Sequence, residues 1–148
     1  MTRAGASERE ALARLAIFRG GFSAESARAV VGASLPVLGA LADKSLLRKD
    51  GARLSLHPLV QHLAGQRVGD DAARHALEQA HGLHFHRLMA QLRRPVADGD
   101  FAALQQIERE LENCRFAWRW AIRANRRDAL AESLRTLLSF FDHRAHRQ

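Results

Sequence analysis

Histidines and basic side chains are the residues of this chain whose spacing could do chemistry. The stretch LSLHPLVQHLA, residues 54–64, carries His57 and His62, and a second group, His81, His84 and His86, follows within thirty residues. Two imidazoles that share one helical face stand four residues apart, as in the zinc motif HExxH. His57 and His62 are five apart with no carboxylate between them, which does not meet that pattern. His81 and His84 are near enough along a helix to share an ion, but no third ligand of assured geometry accompanies them. These histidines are therefore read as packed or solvated helix residues, and no metal site is assigned. Cys114 is the single cysteine, so an internal disulfide and a cysteine-built zinc site are both excluded. No base stands beside it in sequence, and it is read as a small buried hydrophobe. No GxxxxGK[ST] loop is present, nor an acidic strand to hold magnesium beside one, so no ATPase chemistry and no catalytic residue are assigned to this chain.

The elements that must position these groups fall into two halves. In the first, EREALARLAIF (8–18) places Leu12, Leu15, Ile17 and Phe18 at helical spacing, and RGG ends the run. Ser23 is a candidate N-cap for AESARAVV, with Ala27, Val30 and Val31 inward and Gly32 as the stop. Ser34 is the next N-cap, with Pro36 early in a third helix that turns Leu35, Leu38, Leu41 and Ala42 inward. The period then changes from helical to alternating. SLLRK and ARLSL flank Asp50-Gly51, a dipeptide suited to a tight hairpin, and Leu54 and Leu56 alternate with Arg53 and Ser55. Pro58 opens a closing helix whose Leu59, Val60 and Leu63 are expected to pack back on the core, with His57 at the strand–helix junction. Three helices, a hairpin and a helix is the order of a winged helix, assigned to residues 8–68.

In the second half, residues 69–94 read as a linker helix capped by Asp70 or Asp71. Leu77, Ala80, His84, Leu88 and Leu92 are predicted on one side, and Gly82 loosens the middle. Pro95 is expected to end it. Asp100 caps a helix predicted without interruption over 101–125, with Phe101, Leu104, Ile107, Leu111, Cys114, Trp118 and Ile122 as its stripe and Phe116 and Trp120 widening it. After NRRD a last face is formed by Leu130, Leu134, Leu137, Leu138 and Phe141. Paired helices of this kind open a stacked array over 98–148, and the fold class is mainly α. The apolar face close to FDHRAHRQ suggests a segment of a longer protein and favours self-association.

Charge narrows the partners. The formal net charge is +7, and residues 1–68 hold ten Lys/Arg against five Asp/Glu. A DNA-reading third helix needs Arg, Lys, Asn or Gln on its outer side, but SLPVLGALADK leaves Pro36, Val37, Gly39, Ala40 and Asp43 there. Arg48, Lys49 and Arg53 on the hairpin suffice for phosphate contact without base recognition. Sequence-specific DNA binding is not expected. No apolar run suits a membrane span or a secretory signal, so a cytoplasmic location is expected.

Three blocks in fixed order carry a family resemblance: LARLAIFRGGF, then SLPVLGALADKSLLRKDGARLSLHPLVQHLA, then ERELENCRFAWRWAI. Together, from about Leu12 to Phe141, they resemble the region after the ATPase core of bacterial STAND-class signalling ATPases, the large AfsR-like and LuxR-type regulators. The resemblance implies a winged-helix arm followed by the start of an antiparallel tetratricopeptide-like (TPR-like) helical sensor region. It further implies a non-catalytic module, with an upstream nucleotide-binding domain and downstream helical repeats of the same parent as its partners, and ATP/ADP as the parent's cofactor. Related nucleotide switches start their last winged-helix element with Met-His-Asp, whose histidine approaches the ADP phosphate. Leu56, His57 and Pro58 match that motif, so the resemblance implies His57 as a nucleotide-state sensor, while Pro58 removes the acidic third position. The competing readings are a DNA-binding winged-helix transcriptional regulator using Arg48, Lys49 and Arg53, and a metal-dependent enzyme built on the histidines.

Overall fold

A computed structural model describes residues 2–147, with side chains described over 8–146. The fold is mainly helical with one small, open, three-stranded antiparallel sheet. The chain divides into two compact units, Met1–His81 and Gly82–Gln148, and the boundary falls within one long helix. Among the described residues no helix is long and apolar enough to cross a membrane.

The first unit begins with α1 (Thr2–Leu15). The predicted run to Phe18 stops three residues early, because Ile17 and Phe18 donate to Arg14 and Leu15 in a tighter turn of i,i+3 bonds. Gly20 and Gly21, both at positive φ, then reverse the chain into β1 (Phe22–Ser23). Ser23 also caps α2 (Ala24–Val31), its hydroxyl accepting from the Ser26 amide at 3.0 Å. Gly32, in the left-handed region, closes that helix. Ser34 caps α3 (Leu35–Asp43) by accepting from Val37 N at 3.4 Å. A hairpin follows, β2 (Leu47–Asp50) and β3 (Arg53–Leu56), with Gly51 at φ 61° in the turn. The sheet order is β1-β3-β2, so the two-residue β1, which alternation could not reveal, makes β3 the central strand. At Gly21 any Cβ would lie 2.8 Å from Leu54 O, so glycine permits the close approach of the turn to β3.

Leu54 and Leu56 enter a core with Leu15, Phe18, Phe22, Val30, Leu38 and Leu41. Phe18 and Phe22 stack with ring centres 4.8 Å apart, and each such burial contributes about 1.5–3 kcal/mol. Not every predicted core residue joins them. Leu35, Leu59 and Leu63 are exposed, at 73%, 61% and 53%. α4 (Pro58–Gly65) instead buries Ala64 and half-buries Val60 and Gln61, because it packs beside α1 through a narrow edge.

α5 (Asp71–Gln91) is capped by Asp70, whose carboxylate accepts from Ala73 N at 2.9 Å. Its buried positions are Leu77, His81, Phe85, His86 and Met89. The stripe predicted through His84 and Leu88 is thus rotated toward the aromatic and sulfur side chains. Pro95 does not end this helix; it occupies the first turn of a short helix, α6 (Arg93–Ala97). There its missing N–H costs no helical bond. The helix predicted over 101–125 is broken at Glu110 into α7 (Phe101–Arg109) and α8 (Leu111–Arg123). Glu110 is buried and accepts from Asn113 Nδ2 at 3.1 Å, so the break holds a satisfied polar pair. Asp100 caps α7 through Ala103 N at 3.0 Å. α9 (Arg127–Arg147) packs against α6 and α8. Its buried residues are Ser133, Thr136 and Phe140, whereas the predicted inner residues Leu134, Leu138 and Phe141 face outward.

Candidate functional site

The junction between β3 and α4 is built from the bottom by three side chains. Pro58 sets the first helical position, so the chain turns from strand to helix at His57. His57 is the N-cap: its Nδ1 accepts from the Leu59 amide at 3.1 Å, while its own carbonyl accepts from Gln61 N at 2.8 Å. Gln61 then anchors α4, its Nε2 donating to Phe18 O at 2.7 Å and Ala16 O at 3.3 Å. Those carbonyls belong to the tight turn that follows α1, and Arg19 Nη1 also donates to them. The orientation of His57 is therefore fixed from both sides, by its own cap bond and by the grip of Gln61 one turn later. Sequence reasoning missed Gln61; the signal available was a polar residue at the position where α4 should face α1.

The cap bond has a chemical consequence. A neutral imidazole that accepts at Nδ1 carries its proton at Nε2. His57 is exposed, so it presents that Nε2–H donor outward. Such a donor suits an anionic oxygen, including that of a phosphate. Beside it, Leu59 and Leu63 lie one turn apart on the exposed side of α4. His62 is exposed too, its Nε2 3.2 Å from Gln66 Nε2.

The basic residues of the hairpin do not form one patch with equal freedom. Arg48 and Lys49 are exposed on β2. Arg53, on the central strand, donates from Nη2 to Gly20 O at 3.1 Å and so braces the turn before β1. On α3 the exposed positions are Leu35, Pro36 and Asp43, with Val37, Gly39 and Ala40 half-buried.

His81, His84, His86 and Cys114 are packed side chains. His81 is fully buried with its ring 5.7 Å from that of Phe18. His84 meets Phe85 edge-on at 4.8 Å. His86 is buried in the second unit, with Nε2 3.0 Å from Ala117 O and Nδ1 3.1 Å from Ser133 Oγ. A carbonyl only accepts, so Nε2 carries the proton. Ser133 Oγ accepts from Trp118 Nε1 at 2.9 Å and lies 2.8 Å from Ala129 O. One hydroxyl proton thus serves two acceptors, His86 Nδ1 and Ala129 O. Burial holds the His86 pKa below 6.5, against the opposing pull of the Ala117 and Ala129 carbonyls, while the Arg126 charge lowers it further. Cys114 is fully buried, and desolvation, helped by the Glu110 charge, raises its pKa to about 12. Its thiol stays protonated at neutral pH, unlike a poised nucleophile. Among the described residues no group of three or more His, Cys, Asp or Glu could hold a metal ion.

No protein-family model, curated protein or solved structure matches this chain.

Proposed function

We propose that this chain is a non-catalytic regulatory segment of a larger STAND-type signalling ATPase, coupling nucleotide state to a helical sensor region. In this reading residues 8–68 are a winged-helix arm, 69–94 a linker helix, and the helices from 98 onward the start of a TPR-like array. The upstream nucleotide-binding domain and the downstream repeats are its partners, and the parent binds ATP or ADP. One observation carries the reading: His57 is held as a cap with a single outward donor, next to the exposed pair Leu59 and Leu63. A donor at the edge of an apolar helix face fits a neighbouring domain that holds a phosphate. The outer side of α3 supports a protein contact over base reading, since it offers Leu35, Pro36 and Asp43.

The test separates capping from nucleotide contact. Aspartate caps helices well but repels phosphate. In the full-length parent, His57→Asp should keep thermal stability near that of the wild type and speed ADP dissociation about 10–100-fold, the loss of one charge-assisted bond of roughly 1.5–3 kcal/mol. Unchanged ADP release and unchanged signalling in a folded His57→Asp parent would overturn the proposal.

A further inference from the structure

Helix α9 buries Ser133 and Thr136 beside Phe140 and leaves a second, apolar stripe exposed, which calls for an explanation. The inward side is satisfied: Ser133 holds the hydrogen-bond node described above, and Thr136 Oγ1 donates to Met89 O at 2.7 Å. The outward side is a stripe of Ala131, Leu134, Leu138, Phe141 and Ala145, all exposed and spaced by three, four, three and four residues. Leu134, Leu138 and Phe141 are 41%, 60% and 40% exposed. That spacing is the heptad of a two-helix seam, unused within the second unit.

We infer that α9 is a docking surface for the same helix of a second copy of this chain, paired antiparallel. The flanking charges select the occupant and its direction. On one flank of the stripe stand Asp128, Arg135 and Asp142; on the other stand Leu130, Leu137 and Arg144. Antiparallel helices bring like flanks together. The register that sets Leu138 against the partner's Phe141 places Arg135 beside the partner's Asp142, and symmetry repeats the pair. A parallel arrangement sets each charged flank against the opposite flank, where Arg135 and Asp142 would meet leucines. Both charges can reach a partner: Arg135 is exposed, and the Asp142 side chain, 3.7 Å from His146 Nδ1 one turn on, is 72% exposed. A single helix seam is smaller than the roughly 800 Å² per partner of a standard interface, so a weak, concentration-dependent dimer is expected.

Sedimentation equilibrium of the full chain from low micromolar to submillimolar concentration tests this. The wild type should show a monomer–dimer equilibrium. Leu138→Asp, at an exposed position, should weaken it at least about tenfold with unchanged far-ultraviolet circular dichroism. Arg135→Asp and Asp142→Arg should each weaken it, whereas the double swap should restore it to within about threefold of wild type. A chain monomeric throughout, a dimer indifferent to Leu138→Asp, or a double swap that fails to restore pairing would overturn the inference. If Leu138→Asp unfolds, the charge swap alone decides.

Discussion

At the scale of single residues, His86 sets an acid limit on the second unit. Its folded pKa lies below the ordinary value of 6.5, so the unfolded chain takes up the proton first. The stability that depends on neutral His86 is fully present above pH 6.5 and falls as the pH drops through the window below it. The limit comes from burial and the Arg126 charge, since a protonated Nδ1 could donate to Ser133 Oγ, whose hydroxyl already donates to Ala129 O. The melting temperature should therefore decline below pH 6.5, and His86→Gln, which cannot titrate, should show a shallower decline. Equal slopes for the two proteins would refute this. At the same scale the candidate site was partly legible. Pro58 after an alternating strand marked His57 as a junction residue, because both signals are local. The use of Nδ1 as the cap, which leaves Nε2–H outward, depends on a ring rotation that no spacing encodes. Gln61 stood out only as a polar residue on an inner face, because its partners, Ala16 O and Phe18 O, lie more than forty residues away in sequence.

At the scale of elements, capped helix starts were readable, and so for the most part were the inner faces of α2, α3, α7 and α8, but the faces of α4, α5 and α9 were not. Ser23, Ser34, Asp70 and Asp100 cap as their sequences suggest, since a cap needs only a short oxygen-bearing side chain two or three residues from an open amide. The break at Glu110 left no such mark, as its neighbours are all good helix formers. On α9, hydrophobicity pointed the wrong way, because Ser133 and Thr136 find tertiary partners that sequence cannot supply. Gly82 is another case. Composition alone makes it a weak point in α5, yet a Cβ there would fall into the Trp120 ring of α8. Gly82→Ala adds helix propensity of about 1 kcal/mol, but overpacking typically costs about 1–3 kcal/mol. The bulk and rigidity of the indole make the second effect win. Urea denaturation should show Gly82→Ala destabilised, and a neutral or stabilised variant would refute the socket.

At the scale of the whole molecule, charge governs what the chain can meet without specificity. The net charge of +7 and the exposed Arg48 and Lys49 predict weak duplex DNA binding. With two or three phosphates neutralised, the logarithm of affinity should fall with the logarithm of salt at a slope of about −2 to −3, equally for unrelated sequences. A sequence-selective complex that resists salt would instead favour the DNA-regulator reading. Division into two units has a practical corollary as well. The chain has two tryptophans, Trp118 and Trp120, and no tyrosine. Both indoles belong to the second unit, one pressed against a bare stretch of helix backbone and one tethered to a serine. Intrinsic fluorescence is thus a one-sided gauge: every indole it reads sits in the C-terminal half, and none in the hairpin-bearing half.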